Sequence, residues 1–141
     1  MVCLLPLILI GYVGTIQTSW HTSADISGPY AEVQTCKDGL ALRGAVGNQW
    51  VQVGPQYGYS ATLPYGLALT GQIHGGLGYS NTIHPVSNIR QITTLNLGFS
   101  VLISKERYYL KGGYDHMSNG RGIDPTNAGQ DFWSIAGGLT F

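Results

Sequence analysis

After its first fourteen residues the chain alternates apolar and polar positions with a period of two, and nowhere settles into the three-to-four spacing of an amphipathic helix. Tyr65 to Ser80 is the most regular run. Its odd positions are Tyr65, Leu67, Leu69, Gly71, Ile73, Gly75, Leu77 and Tyr79, while its even positions carry Gly66, Ala68, Thr70, Gln72, His74, Gly76, Gly78 and Ser80. Aromatic residues close both ends of the apolar row. The same two-faced pattern gives strands at Leu40–Val46, Val51–Ala61, Leu95–Ile103 and Arg107–Ser118, and a last one from Asp131 to Phe141. Thr15–Thr22 and Tyr30–Cys36 are weaker candidates, the second because Glu32 and Gln34 share a face with Tyr30. Turn chemistry falls between these runs, at Lys37-Asp38-Gly39, Gly47-Asn48, Leu63-Pro64 and Lys105-Glu106.

Strands of about ten residues are long enough to cross a bilayer when tilted. In lipid every strand edge has to be paired, so such a sheet closes on itself, and eight is the natural even count. The fold predicted is therefore an all-β, eight-stranded antiparallel transmembrane β-barrel of outer-membrane type. Its inner face would carry Arg43, Gln52, Gln72, His74, Asn96, Lys111 and Asp115, filling a narrow lumen. A soluble lipocalin-like barrel or a β-sandwich would instead turn the apolar rows inward and the polar rows to water. The polar rows here are mostly Gly, Ser, Thr, Gln and Asn, which suits a packed lumen. Short connections alternate with longer ones at Ser23–Pro29, Asn81–Arg90 and Gly120–Gln130, as outer-membrane barrels alternate periplasmic turns with surface loops. The final Phe141 resembles the C-terminal assembly signal of such proteins.

Composition agrees with this. Charged residues make up 10% of the chain, against about 25% in an ordinary soluble domain, and 21 glycines and 9 tyrosines are a heavy load for 141 residues. A formal net charge of zero excludes the basic stripe of a nucleic-acid binder. Val2 to Gly14 is an apolar run too short for a membrane-spanning helix and suited to the core of a signal peptide, although no Lys or Arg precedes Lys37. Residues 1–14 are thus expected to be an export signal and residues 15–141 a single barrel domain. Cys3 would leave with the signal, and Cys36 would remain as a lone, inert thiol.

Candidate chemistry gathers at the closing hairpin. His116 and Ser118 lie two apart on one strand, so both side chains leave the outward face continued from Tyr114. A histidine beside a serine can take its proton and make it a nucleophile. Asp131 has the outward parity of the paired last strand and could orient the imidazole, and the Asn119 amide could face an oxyanion. The pair His21 and Ser23 repeats the spacing but falls on the lumen face or in a loop, and is read as structural. His74 and His84 have no partners at metal-ligand spacing, and neither a metal nor a cofactor is expected.

The segment His116-Met117-Ser118-Asn119-Gly120, followed by Pro125, Asn127, Gly129 and Asp131, resembles the lipid A 3-O-deacylase family. The resemblance covers about 35 residues and is architectural elsewhere. It implies an outer-membrane serine esterase acting on lipid A of lipopolysaccharide, with Ser118 as nucleophile, His116 as general base, Asn119 at the oxyanion and Asp131 as the acid. That family carries a Glu as its acid, and one extra loop residue is needed to bring Asp131 there; otherwise Gln130 takes the position. The expected partners are lipopolysaccharide and the outer membrane, with no nucleic acid and a homodimer left open. The rival reading is a non-enzymatic small barrel acting through its outer loops, in adhesion or surface protection.

Overall fold

The computed structural model describes residues 6–16, 26–80, 94–118 and 130–141, with the side chains of Thr94 and Ser118 outside the described set. These residues form eight strands: β1 (Leu7–Ile16), β2 (Gly28–Gln34), β3 (Gly39–Gly47), β4 (Trp50–Thr62), β5 (Leu67–Ser80), β6 (Thr94–Lys105), β7 (Tyr108–Ser118) and β8 (Gln130–Thr140). Each pairs with its sequence neighbour and β1 pairs antiparallel with β8, so the sheet is a closed barrel, as the alternation predicts. Short turns join β2 to β3, β4 to β5 and β6 to β7 at the end that holds both Leu7 and Phe141. Three longer connections leave the opposite end, joined there by the two-residue turn Asn48-Gln49 between β3 and β4. Gln49 and Glu106 sit at φ 67 and 55, the left-handed backbone that tight two-residue hairpin turns demand.

The exterior is apolar. Ile10, Leu40, Leu42, Val53, Ile73, Leu77, Leu95, Leu97, Phe99, Leu110 and Ile135 all stand exposed on outward rows. Aromatic side chains collect at the two ends of this band, with Tyr59, Tyr65, Tyr108 and Phe141 near the termini and Tyr12, Tyr79 and Trp133 toward the long connections. Water could not carry so much exposed hydrocarbon, whereas lipid can, and the two aromatic belts mark its interfaces.

The lumen holds the polar residues. All seven side chains assigned to it from sequence parity are buried: Arg43, Gln52, Gln72, His74, Asn96, Lys111 and Asp115. The residue that organises them is Glu32, which the sequence pattern left on a doubtful strand. Lys111 Nζ donates to both Glu32 carboxylate oxygens at 2.6 Å, Arg43 Nη2 donates to Oε2 at 3.0 Å, and Gln34 Nε2 donates to Oε1 at 2.6 Å. Arg43 Nη2 also lies 3.8 Å from Asp115 Oδ2, whose other oxygen meets His74 Nε2 at 2.6 Å. Two buried carboxylates are thereby matched by two buried cations, the condition under which interior charge is tolerated. A glutamine layer, Gln34, Gln56 and Gln72, ties β2, β4 and β5 together below it. Toward the long connections the rings of Tyr30, Trp50 and Phe132 fill the lumen, with centroids 6.1 and 5.2 Å apart in sequence along the row.

The N-terminal run differs from the export-segment expectation. Leu7–Ile16 is a barrel strand with partners on both sides, and it supplies the closing ladder to β8. Its alternation was invisible because both faces are apolar: Leu7, Leu9 and Val13 are buried in the lumen, and Ile8, Ile10 and Tyr12 face outward. A domain boundary at residue 14 would cut this strand, so the barrel domain includes Leu7–Ile16. Most of the strand expected at 15–22 lies outside the described residues. Cys36 is disulfide-bonded rather than a lone thiol, and the chain's other cysteine, Cys3, lies outside the described residues.

Candidate functional site

The closing hairpin brings its acidic and imidazole side chains together. β7 and β8 pair with His116 directly opposite Asp131, and period-two geometry sends both to the outward face. His116 Nδ1 and Asp131 Oδ1 are 2.6 Å apart, and the Tyr114 hydroxyl donates to the same oxygen at 2.7 Å. The aspartate side chain is 14% exposed and the histidine 41%, so the carboxylate is tucked under its two partners while the imidazole edge stays open. Gln130 faces the lumen and is buried. The alternative that put Gln130 in the acid position is thus excluded by parity: a one-residue step along β8 turns a side chain to the other face of the wall.

Ser118 ends β7 on the same parity as His116. Its side chain, together with Asn119, lies outside the described residues, as do His21, Ser23 and His84. Among the described residues no group of three or more His, Cys, Asp or Glu side chains could hold a metal ion. The polar trio sits at the outer end of the apolar band and is framed by aromatic rings. Tyr114 packs 5.6 Å from Phe99, and Trp133, opposite Tyr114 in the ladder, packs 6.2 Å from Tyr12. Chemically it is a hydrogen-bonded polar patch at a lipid interface, where amphipathic rings keep one edge wet.

Among solved structures the barrel is similar to Neisserial surface protein A (NspA), with a TM-score of 0.63 and 11% identity over 96% of this chain and 94% of that one. It is also similar to Ail, the attachment invasion locus protein of Yersinia pestis, solved in complex with the heparin analogue sucrose octasulfate. There the TM-score is 0.53 and the identity 14%, over 97% of this chain and 98% of that one. No family model and no curated protein sequence matches the chain. At these identities the likeness is one of fold. A closed eight-stranded ladder, a lipid-facing exterior and that shared architecture make this a bacterial outer-membrane barrel.

The esterase expectation from the His116–Ser118 motif does not hold. The solved barrels that share this architecture are a surface protein and an attachment and invasion protein, which points away from an esterase. An aspartate that orients a histidine is common to catalytic and structural settings, and here Tyr114 shares its oxygen. His116, Asp131 and Tyr114 form a rim contact of the barrel wall. Sequence reasoning paired His116 with Asp131 but missed Tyr114, whose outward parity two residues before His116 was the available signal.

Proposed function

We propose that this protein is a non-enzymatic outer-membrane barrel that acts at the cell surface through its three long outer connections, in adhesion or surface protection. The observation that carries this reading is the asymmetry of the barrel's two ends. The chain between Ile16 and Gly28, between Ser80 and Thr94, and between Ser118 and Gln130 leaves at one end, while the termini and tight turns occupy the other. The wall between them is a rigid scaffold, and binding segments are commonly carried on loops held by such scaffolds. Its lumen is filled by side chains, so transport through a wide pore is not its work. Ail, which shares the fold, is named for attachment and invasion and was solved with a heparin analogue.

The lipid partner in this reading is the lipopolysaccharide leaflet, bound and not processed. His116, Asp131 and Tyr114 lie where the polar part of an outer-leaflet lipid meets the barrel wall, and the open imidazole edge offers a contact to its hydroxyl or phosphate groups.

The test is to express the protein in a non-adherent strain and measure attachment to epithelial cells and survival in serum. Replacing each long connection with a short Gly-Ser turn should abolish the gain while the barrel still assembles. A full phenotype in all three shortened variants would sink the reading.

A further inference from the structure

Beside the seam where β1 closes onto β8, the outward face carries a depression of about 460 Å³ at the barrel end that holds the termini. Ile8 and Ile10 of β1 line one side of it, Tyr108 of β7 the other, and Leu139 and Phe141 lie toward the turns. Its floor is Gly137. In the ladder Gly137 stands between Ile10 on β1 and Leu110 on β7, so its missing side chain leaves a gap between two aliphatic ones. Closure of the sheet does not require glycine there. A Cβ at Gly137 would meet only the Tyr109 carbonyl oxygen, at 3.9 Å, whereas at Gly138 it would stand 2.0 Å from the Ile8 carbonyl oxygen.

Two cations border this depression. Arg107 Cζ lies 5.5 Å from the centroid of the Tyr108 ring, within cation–π range. Lys105 is the direct partner of Tyr108 in the β6–β7 ladder. Both cations are exposed, and among the described residues no carboxylate lies within 4.0 Å of either, Glu106 at the turn between them included. Tyr108 and Phe141 belong to the aromatic belt at this end. The cations therefore stand at the depth of lipid headgroups, and the apolar depression runs from there into the hydrocarbon band.

We propose that this depression is a binding site for one glycerophospholipid, with an acyl chain laid over Gly137 and the phosphate held by Lys105 and Arg107. Charge selects this occupant. A second copy packed face to face here would set Lys105 and Arg107 against their own counterparts, and like charges across an interface are unfavourable. A phosphodiester brings the opposite charge, which a guanidinium and an ammonium both recognise. The Tyr108 ring joins the two halves of the site, since its face carries Arg107 and its edge lines the apolar wall.

The experiment is nitrogen-15 nuclear magnetic resonance of the full chain in maltoside micelles titrated with phosphatidylglycerol. The Lys105, Gly137 and Leu139 amides should shift saturably, while Gly71, outward on β5, keeps its position. Gly137→Leu should weaken binding about fivefold by filling the floor. Lys105→Gln with Arg107→Gln, both at exposed positions, should weaken it by more than about tenfold, as should replacing the lipid by a diacylglycerol of the same chains. Gly71→Leu, where a Cβ meets nothing within 4 Å, should change nothing. Equal shifts at Gly71 and Gly137 would mean an unselective lipid annulus and overturn the proposal. Undiminished binding in the double variant overturns it as well, and so does tighter binding of lipid A than of phosphatidylglycerol.

Discussion

His116 Nδ1 and Asp131 Oδ1 meet at 2.6 Å across directly paired positions of β7 and β8, on the lipid-facing side of the wall. Contact of this kind is what an acid–imidazole pair needs for catalysis, and it is equally what a carboxylate needs to survive at a membrane interface. The two roles separate by experiment. Lipid A from cells expressing the protein, analysed by mass spectrometry, should show the same acyl chains as lipid A from cells without it. Loss of one hydroxyacyl chain that Ser118→Ala restores would show the protein to be a deacylase.

As a rim contact, the trio should contribute little to stability. Asp131→Asn with Tyr114→Phe is expected to shift the urea unfolding free energy of the reconstituted barrel by less than about 1 kcal/mol, the usual scale for polar changes near the interface. A loss of several kcal/mol would mean that the patch braces the β7–β8 ladder.

Glu32 should behave very differently. Glu32→Gln leaves Lys111 and Arg43 in the lumen without their shared carboxylate, and breaking one partner of a buried ion pair costs about 3–5 kcal/mol. Lys111→Met alone should cost a comparable amount. The double variant should lose less than the sum, because the first change has already removed the interaction. Equilibrium unfolding of the three variants measures the coupling.

The aromatic cap gives a packing prediction. Trp50 is buried at 3% exposure against Tyr30 and Phe132, so Trp50→Ala should destabilise the barrel by about 3–5 kcal/mol. Trp50→Phe should retain most of that stability, as read by the same unfolding assay.

The closing seam tolerates no bulk at Gly138. A methyl group placed there would stand 2.0 Å from the Ile8 carbonyl oxygen of β1, which is backbone and has nowhere to go. Gly138→Val should therefore prevent closure of β8 onto β1, and the variant should run as an unfolded band in semi-native electrophoresis where the wild type runs folded. Gly112→Ala, on the open outward face of β7 with nothing within 4 Å, is the control expected to fold.

What the sequence determined by itself was the wall. Alternation along β3 to β8 assigned an outward and an inward face residue by residue, because a strand's period of two is imposed by backbone geometry and lipid enforces it. It also put His116 and Asp131 on the same side. Tertiary structure decided what alternation could not express. β1 has apolar residues on both faces, so its run resembled an export segment until pairing with β2 and β8 separated Leu7, Leu9 and Val13 from Ile8, Ile10 and Tyr12. Glu32 seemed to spoil a strand, yet it holds the lumen together, because its partners Arg43 and Lys111 come from strands distant in sequence and near only once the barrel closes. The His116–Ser118 motif carries residue types and not an activity, because the work of a barrel depends on what its closed wall presents to lipid and to its surroundings.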